Sequence, residues 1–228
     1  MLFAPPSATQ RVRTALAGTG IELVASCGAT AYDSRAPEAL RTAAWVPDAR
    51  GLIVAASAGP TLWRSFRARV ASDPSLARAE HPYDRFVSEQ LGRGDDALRA
   101  AGVHFKRFEA AFLAPVRIDF VALAQLVGLG APGPFGLAIH PEYGAWWALR
   151  GAWIVDGEVE PAKELARACS GCAAPCVGGW DNAGGILQAT ANVRGRCVVG
   201  QGSRYDDDQI AYHYGRASGL PGAQKSGS

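Results

Sequence analysis

Four thiols crowd the last third of the chain. Cys169, Cys172 and Cys176 are spaced C-x2-C-x3-C, and Cys197 follows, so all four fall within thirty residues. Thiolates at such spacing ligate zinc or an iron–sulfur cluster. A thiol that itself acts as nucleophile or redox group is a second reading, and incidental cysteine is a third. The bacterial ferredoxin run is C-x2-C-x2-C-x3-C-P. Only its last three cysteines have counterparts here, Val177 stands where the proline would be, and Cys197 is the candidate fourth ligand. The fifth cysteine, Cys27, lies far upstream beside a probable strand and reads as a small buried hydrophobe. An odd number argues against a fully paired disulfide framework, and clustered thiols in a cytosolic chain point to metal or catalysis.

A second chemical feature is Gly133–Asp156, GPFGLAIHPEYGAWWALRGAWIVD. Its prolines and glycines forbid a helix across the first half. Ala145–Val155 reads as a strand, on which alternate residues share a face. Trp146, Ala148, Arg150, Ala152 and Ile154 then lie on one side, and Trp147, Leu149, Trp153 and Val155 on the other. Arginine is seldom buried without a partner. A tryptophan and a guanidinium separated by one small residue suit a large, flat, partly anionic ligand. The plainer reading is a core strand whose arginine meets a structural carboxylate. His140, before Pro141, reads as a hydrogen-bonded turn residue in preference to a metal ligand.

The elements around these features follow from pattern. Helices are expected over 8–18, 61–71 and 82–101, the second with Leu62, Phe66 and Val70 on one stripe. Strands are expected over 21–26, 51–57 and 103–108, followed by a helix over 120–127. A short helix over 161–168 and a glycine-rich irregular segment over 169–203 come next, and long irregular segments are usually functional. Asp206–Gly215 is a last helix with acids where the dipole favours them. The result is an α+β fold, helices on a mixed sheet, in one domain over 1–218 with a disordered polar tail over 219–228.

Composition narrows the class. The 228 residues are 48% hydrophobic and 19% charged, with net charge +2. That suits a globular protein and gives no nucleic-acid or membrane footprint. The apolar window Phe120–Ile139 carries Gln125, two prolines and four glycines, so it is rejected as a membrane span. The N-terminus, with Pro5-Pro6, does not resemble a secretory signal, and a cytoplasmic location is expected.

The central stretch also resembles a known family, the cobalamin-processing type C proteins (MMACHC). Their run Gly-x-x-Ile-His-Pro-x-(Phe/Tyr)-Gly-x-Trp-(Phe/Trp)-Ala-(Ile/Leu)-Arg-Gly is met from Gly136 through Ile139, Trp146 and Arg150 to Gly151. Residues 49–99 and the segment from Arg196 through Arg204, Tyr205 and Gln209 to Tyr212 resemble two further family blocks in the same order. The resemblance implies a nitroreductase-like fold with a deep corrinoid cavity. It implies cobalamin contacts at Gly136, Ile139, Trp146, Arg150 and Tyr205, and thiol-substrate contacts at Arg150, Arg196 and Arg216. It implies removal of the upper axial ligand of cobalamin, by reductive decyanation or thiol-dependent dealkylation, with glutathione or flavin as reductant. It leaves room for a homodimer and for an acceptor protein that takes cobalamin on. No single catalytic residue is singled out. Two alternatives are an iron–sulfur reductase similar to epoxyqueuosine reductase, for which five cysteines allow at most one cluster, and a non-catalytic cobalamin carrier.

Overall fold

The structure is a computed structural model that describes residues 4–110, 119–165, 169–180 and 186–215. Helix α1 (Ala8–Leu16) starts at Ser7, whose hydroxyl caps Gln10 while the Gln10 side chain returns a bond to the Ser7 backbone. This reciprocal cap satisfies two otherwise orphaned amides. Strand β1 (Leu23–Gly28), helix α2 (Ala29–Asp33) and strand β2 (Gly51–Ala58) follow. Next come α3 (Thr61–Ser72), the single turn α4 (Pro74–Ala77), α5 (Pro82–Ala100) and strand β3 (Phe105–Glu109). Helix α6 (Phe120–Leu126) is capped by the Asp119 carboxylate on the Ala122 amide. A two-residue ladder of β4 (Ala131–Pro132) with β5 (Ala138–Ile139) leads into β6 (Trp147–Val155). The last elements are α7 (Ile186–Arg196) and α8 (Asp207–His213).

The main sheet has the order β1-β2-β6-β3 and is antiparallel at every pairing. The α+β architecture with helices flanking a sheet is as expected, but the described sheet is antiparallel, not mixed. One face packs Ile53, Ala55, Trp153 and Val155 against α1, α3 and α5. The other packs Leu52, Val54, Ala152 and Ile154 against Phe120, Leu123 and Ala124 of α6. No helix of the described residues is long and apolar enough to cross a membrane.

Two glycines mark where the backbone leaves no room. A Cβ on Gly94, mid-way along α5, would stand 3.0 Å from the Trp153 ring. Glycine weakens a helix interior, but at position 94 it lets α5 come down onto β6. Gly144 has φ +56°, and a Cβ there would stand 2.0 Å from the Val199 carbonyl oxygen.

Three expectations are corrected. No helix forms over 161–165, and residues 166–168 lie outside the described set. The segment 169–203 is not all irregular, because it contains α7. That helix leaves Ile186 and Leu187 exposed and buries only Ala189 and Val193, so the sequence carries no apolar stripe to announce it. Strict alternation along 145–155 also fails, for a reason that shapes the site. The proposed tail over 219–228 lies outside the described residues.

Candidate functional site

The β2–β6 ladder skips a residue. Ala55 pairs with Gly151 and Ala56 with Leu149, which leaves Arg150 as the extra residue of a β-bulge. A bulge re-aims side chains and is common beside functional sites. Past it the faces exchange. Trp147 and Leu149 pack with Ala152 and Ile154, while Trp153 and Val155 pack on the opposite side. The four residues expected together on one side are therefore divided between the two cores. Arg150 itself points toward α5. Its Nε donates to Ser57 Oγ at 2.8 Å, and its guanidinium lies 5.3 Å from the centre of the Tyr83 ring. Among the described residues no carboxylate pairs with it. The structural-carboxylate reading of this arginine is thereby removed.

A second arginine faces the same interior. Arg194 of α7 donates from Nη1 to the carbonyl oxygen of Ala145 at 2.5 Å and stands 5.7 Å from the centre of the Tyr205 ring. Trp146 and Tyr205, 1% and 3% exposed, meet edge to face at 5.3 Å. Tyr83, Tyr205 and Tyr212 surround the His213 imidazole.

This hollow collects buried polar atoms that lack hydrogen-bond partners among the described residues. They include Tyr83 OH, Trp146 Nε1, Arg194 Nε, Tyr205 OH and His213 Nε2. An orphaned buried donor or acceptor costs about 1–3 kcal/mol, so such a set is met by water or by a polar guest. Burial, then the Arg150 and Arg194 charges, push His213 down to about 4, so its ring is neutral at pH 7. Burial pushes the Tyr83 hydroxyl up to about 12, opposed by Arg150. The hollow is thus cationic, with neutral rings around two guanidiniums.

The strand face beside Arg150 is roofed by Tyr83, Tyr205 and His213, so a macrocycle does not lie flat on it in this arrangement. Open space begins at the edge. A groove of about 350 Å³ runs between α7 and α8, bordered by Trp146, Asn192, Arg204, Ile210 and Tyr214. A larger cleft of about 680 Å³ lies by Gln125, Leu126, Pro132 and Cys169.

The other expected residues separate. Arg196 is exposed and turns toward Gly178, so Arg194 is the arginine of α7 that faces inward. The sequence does not mark Arg194, because the spacing to Arg204-Tyr205 singles out Arg196. Arg216 lies outside the described residues. Gly136 is exposed, and Ile139 packs with Ala145 and Cys197, away from Arg150. His140 accepts the backbone amides of Glu142 and Tyr143 on Nδ1 at 3.1 and 3.2 Å. That nitrogen is unprotonated and committed to a turn, and burial lowers the affinity of the ring for a second proton.

The four clustered cysteines do come together. Cys169, Cys172, Cys176 and Cys197 line one enclosed, mainly apolar cavity. Burial, then the neighbouring thiols, push Cys169 and Cys176 upward, so neither is an activated nucleophile. Among the described residues no group of three Cys, His, Asp or Glu side chains could hold a metal ion. Helix α7 separates this cavity from the Trp146 groove. Val193 and Cys197 line the first, Ala191, Asn192 and Gly195 the second. Cys27 sits apart in the core, its thiol pushed up to about 11 by burial.

No protein-family model matches the chain, and no curated protein matches it in sequence. Solved structures do match in fold. The Caenorhabditis elegans B12-trafficking protein CblC, a homologue of human MMACHC, superposes with a TM-score of 0.61 at 15% identity, covering 91% of this chain and 90% of that one. Epoxyqueuosine reductase from Streptococcus thermophilus gives 0.52 at 18% identity, over 92% of this chain and 66% of the reductase. A second epoxyqueuosine reductase gives 0.53 at 15% identity, over 82% and 55%. The chain therefore spans only part of the reductases but nearly all of the CblC protein. At these identities the shared property is the fold, and the fold of this chain is that of the B12-trafficking protein CblC.

Proposed function

We propose that this protein binds a corrinoid and removes its upper axial ligand, with the Arg150–Arg194 hollow as the polar end of the site. The observation that carries the reading is the set of polar atoms without partners among the described residues, gathered around two arginines that meet no described carboxylate. A corrin ring carries amide arms that both donate and accept hydrogen bonds, as that set requires. The fold match to CblC and the resemblance of 136–151 to the MMACHC motif support the same class of guest. Entry is through the α7–α8 groove, with Trp146 at its inner end, and a full macrocycle requires α8 to move outward.

Two guanidiniums free of carboxylates also suit an anionic thiol such as glutathione, whose carboxylates match their planar fork. In dealkylation the thiolate sulfur forms a bond to the alkyl carbon as the cobalt–carbon bond breaks. Cobalt keeps the electron pair, and Co(III) becomes Co(I). Holding the two reactants together supplies much of the acceleration. The chain's own clustered thiols lie across α7 from this groove, so an external thiol is the reactant here.

Titration with aquocobalamin or cyanocobalamin, followed by visible spectroscopy, tests the binding. The expected result is a saturable spectral shift at micromolar protein, and its absence overturns the reading. Addition of glutathione to the methylcobalamin complex then separates an enzyme from a carrier. The enzyme yields the methyl thioether, whereas a carrier shows the shift and keeps its ligand.

A further inference from the structure

We propose that Cys169, Cys172, Cys176 and Cys197 hold an iron–sulfur cluster in the cavity they line. Three of them come from one tight loop and the fourth from the C-terminal end of α7, so residues remote in sequence converge on one enclosed space. The remaining wall is supplied largely by Ile139, Ala145, Val193 and Val199. An apolar wall restricts solvent access, one of the levers that set the potential of such a centre.

The loop is shaped around its sulfurs. Ala174 takes φ +51°, a left-handed conformation that an alanine adopts only under constraint. In that conformation the Ala174 amide donates to Cys172 Sγ at 3.3 Å. Backbone amides directed at ligand sulfurs are a means by which proteins tune iron–sulfur centres.

A cluster binds its thiolates through separate irons and inorganic sulfides, and four cysteines around one cavity supply the ligands it needs. Two thiols already lie at the surface side of the cavity, Cys169 exposed and Cys172 half-buried, which gives iron and sulfide a way in.

The proposal does not rest on the corrinoid reading, and its test contains no cobalamin. The full chain is purified anaerobically, reconstituted with ferrous iron and sulfide, and assayed for iron, acid-labile sulfide and zinc. The expected result is iron and sulfide in equal amounts, about two or four per chain, with a visible absorption that dithionite bleaches. Cys176→Ser and Cys197→Ser lose that absorption, while Cys27→Ala, altered in the core away from the cavity, keeps it. Absence of iron and sulfide after reconstitution, or stoichiometric zinc in their place, overturns the proposal. If the serine variants do not fold, the metal analysis of the unaltered chain still decides.

Discussion

Arg150 donates through Nε to Ser57 Oγ at 2.8 Å, across the bulge that separates their strands. That bond holds a guanidinium in a half-buried hollow where no described carboxylate balances it. Its removal therefore strands no buried anion. Arg150→Gln is expected to stay folded, with Tm within a few degrees of the parent. Thiol-dependent ligand removal should fall about tenfold or more, the loss of one charge-assisted contact of roughly 1.5–3 kcal/mol. Thermal melts and single-turnover dealkylation check the two halves of this expectation.

Arg194 and Arg196 lie two residues apart and face different ways. Arg194→Ala should raise the thiol concentration needed for half-maximal rate, because its guanidinium borders the hollow. Arg196→Ala, on the exposed side, should leave that concentration unchanged. Equal effects from the two variants would remove the distinction.

Asp95 ties α5 to two strands. It accepts the Trp153 indole at 2.7 Å and Arg107 Nη1 at 2.8 Å, and it is nearly inaccessible. Asp95→Ala leaves the buried Trp153 indole donor without its acceptor and takes one of two carboxylates from the half-buried Arg107, which keeps Glu109. The cost is about 1–3 kcal/mol, read as a lower midpoint in urea unfolding. Asp95→Asn keeps an acceptor for the indole and should lose less.

His213 gives the stability a definite pH dependence. Its folded pKa, about 4, is below its ordinary value of 6.5. The unfolded chain takes up a proton as pH falls through about 6.5, while the folded chain refuses it until about 4. Stability from this residue is fully present above 6.5 and is lost as pH falls through that window, at up to about 1.4 kcal/mol per pH unit. Urea midpoints measured from pH 7 to pH 4 should show this slope, and His213→Gln should flatten it.

Sequence by itself determined the elements with a strong period or a strong stop. Leu62 and Phe66 on α3, Val87, Leu91 and Leu98 on α5, and the apolar run of β2 all fall in the core where pattern puts them. Cys169, Cys172 and Cys176, and Trp146 with Arg150, were likewise legible as chemistry, because each set is close in sequence. The helix α7 was not legible, since its buried side is only Ala189 and Val193. Only the tertiary structure decided which arginine of α7 faces inward and which face each residue of β6 takes. Both outcomes depend on pairing between distant segments. The bulge at Arg150 exists because β2 aligns Ala55 with Gly151 and Ala56 with Leu149, and no residue in 145–155 records that its partner strand is one residue shorter. The enclosure of the thiols is of the same kind, for Cys197 reaches the loop of Cys169–Cys176 only once α7 has packed beside β6.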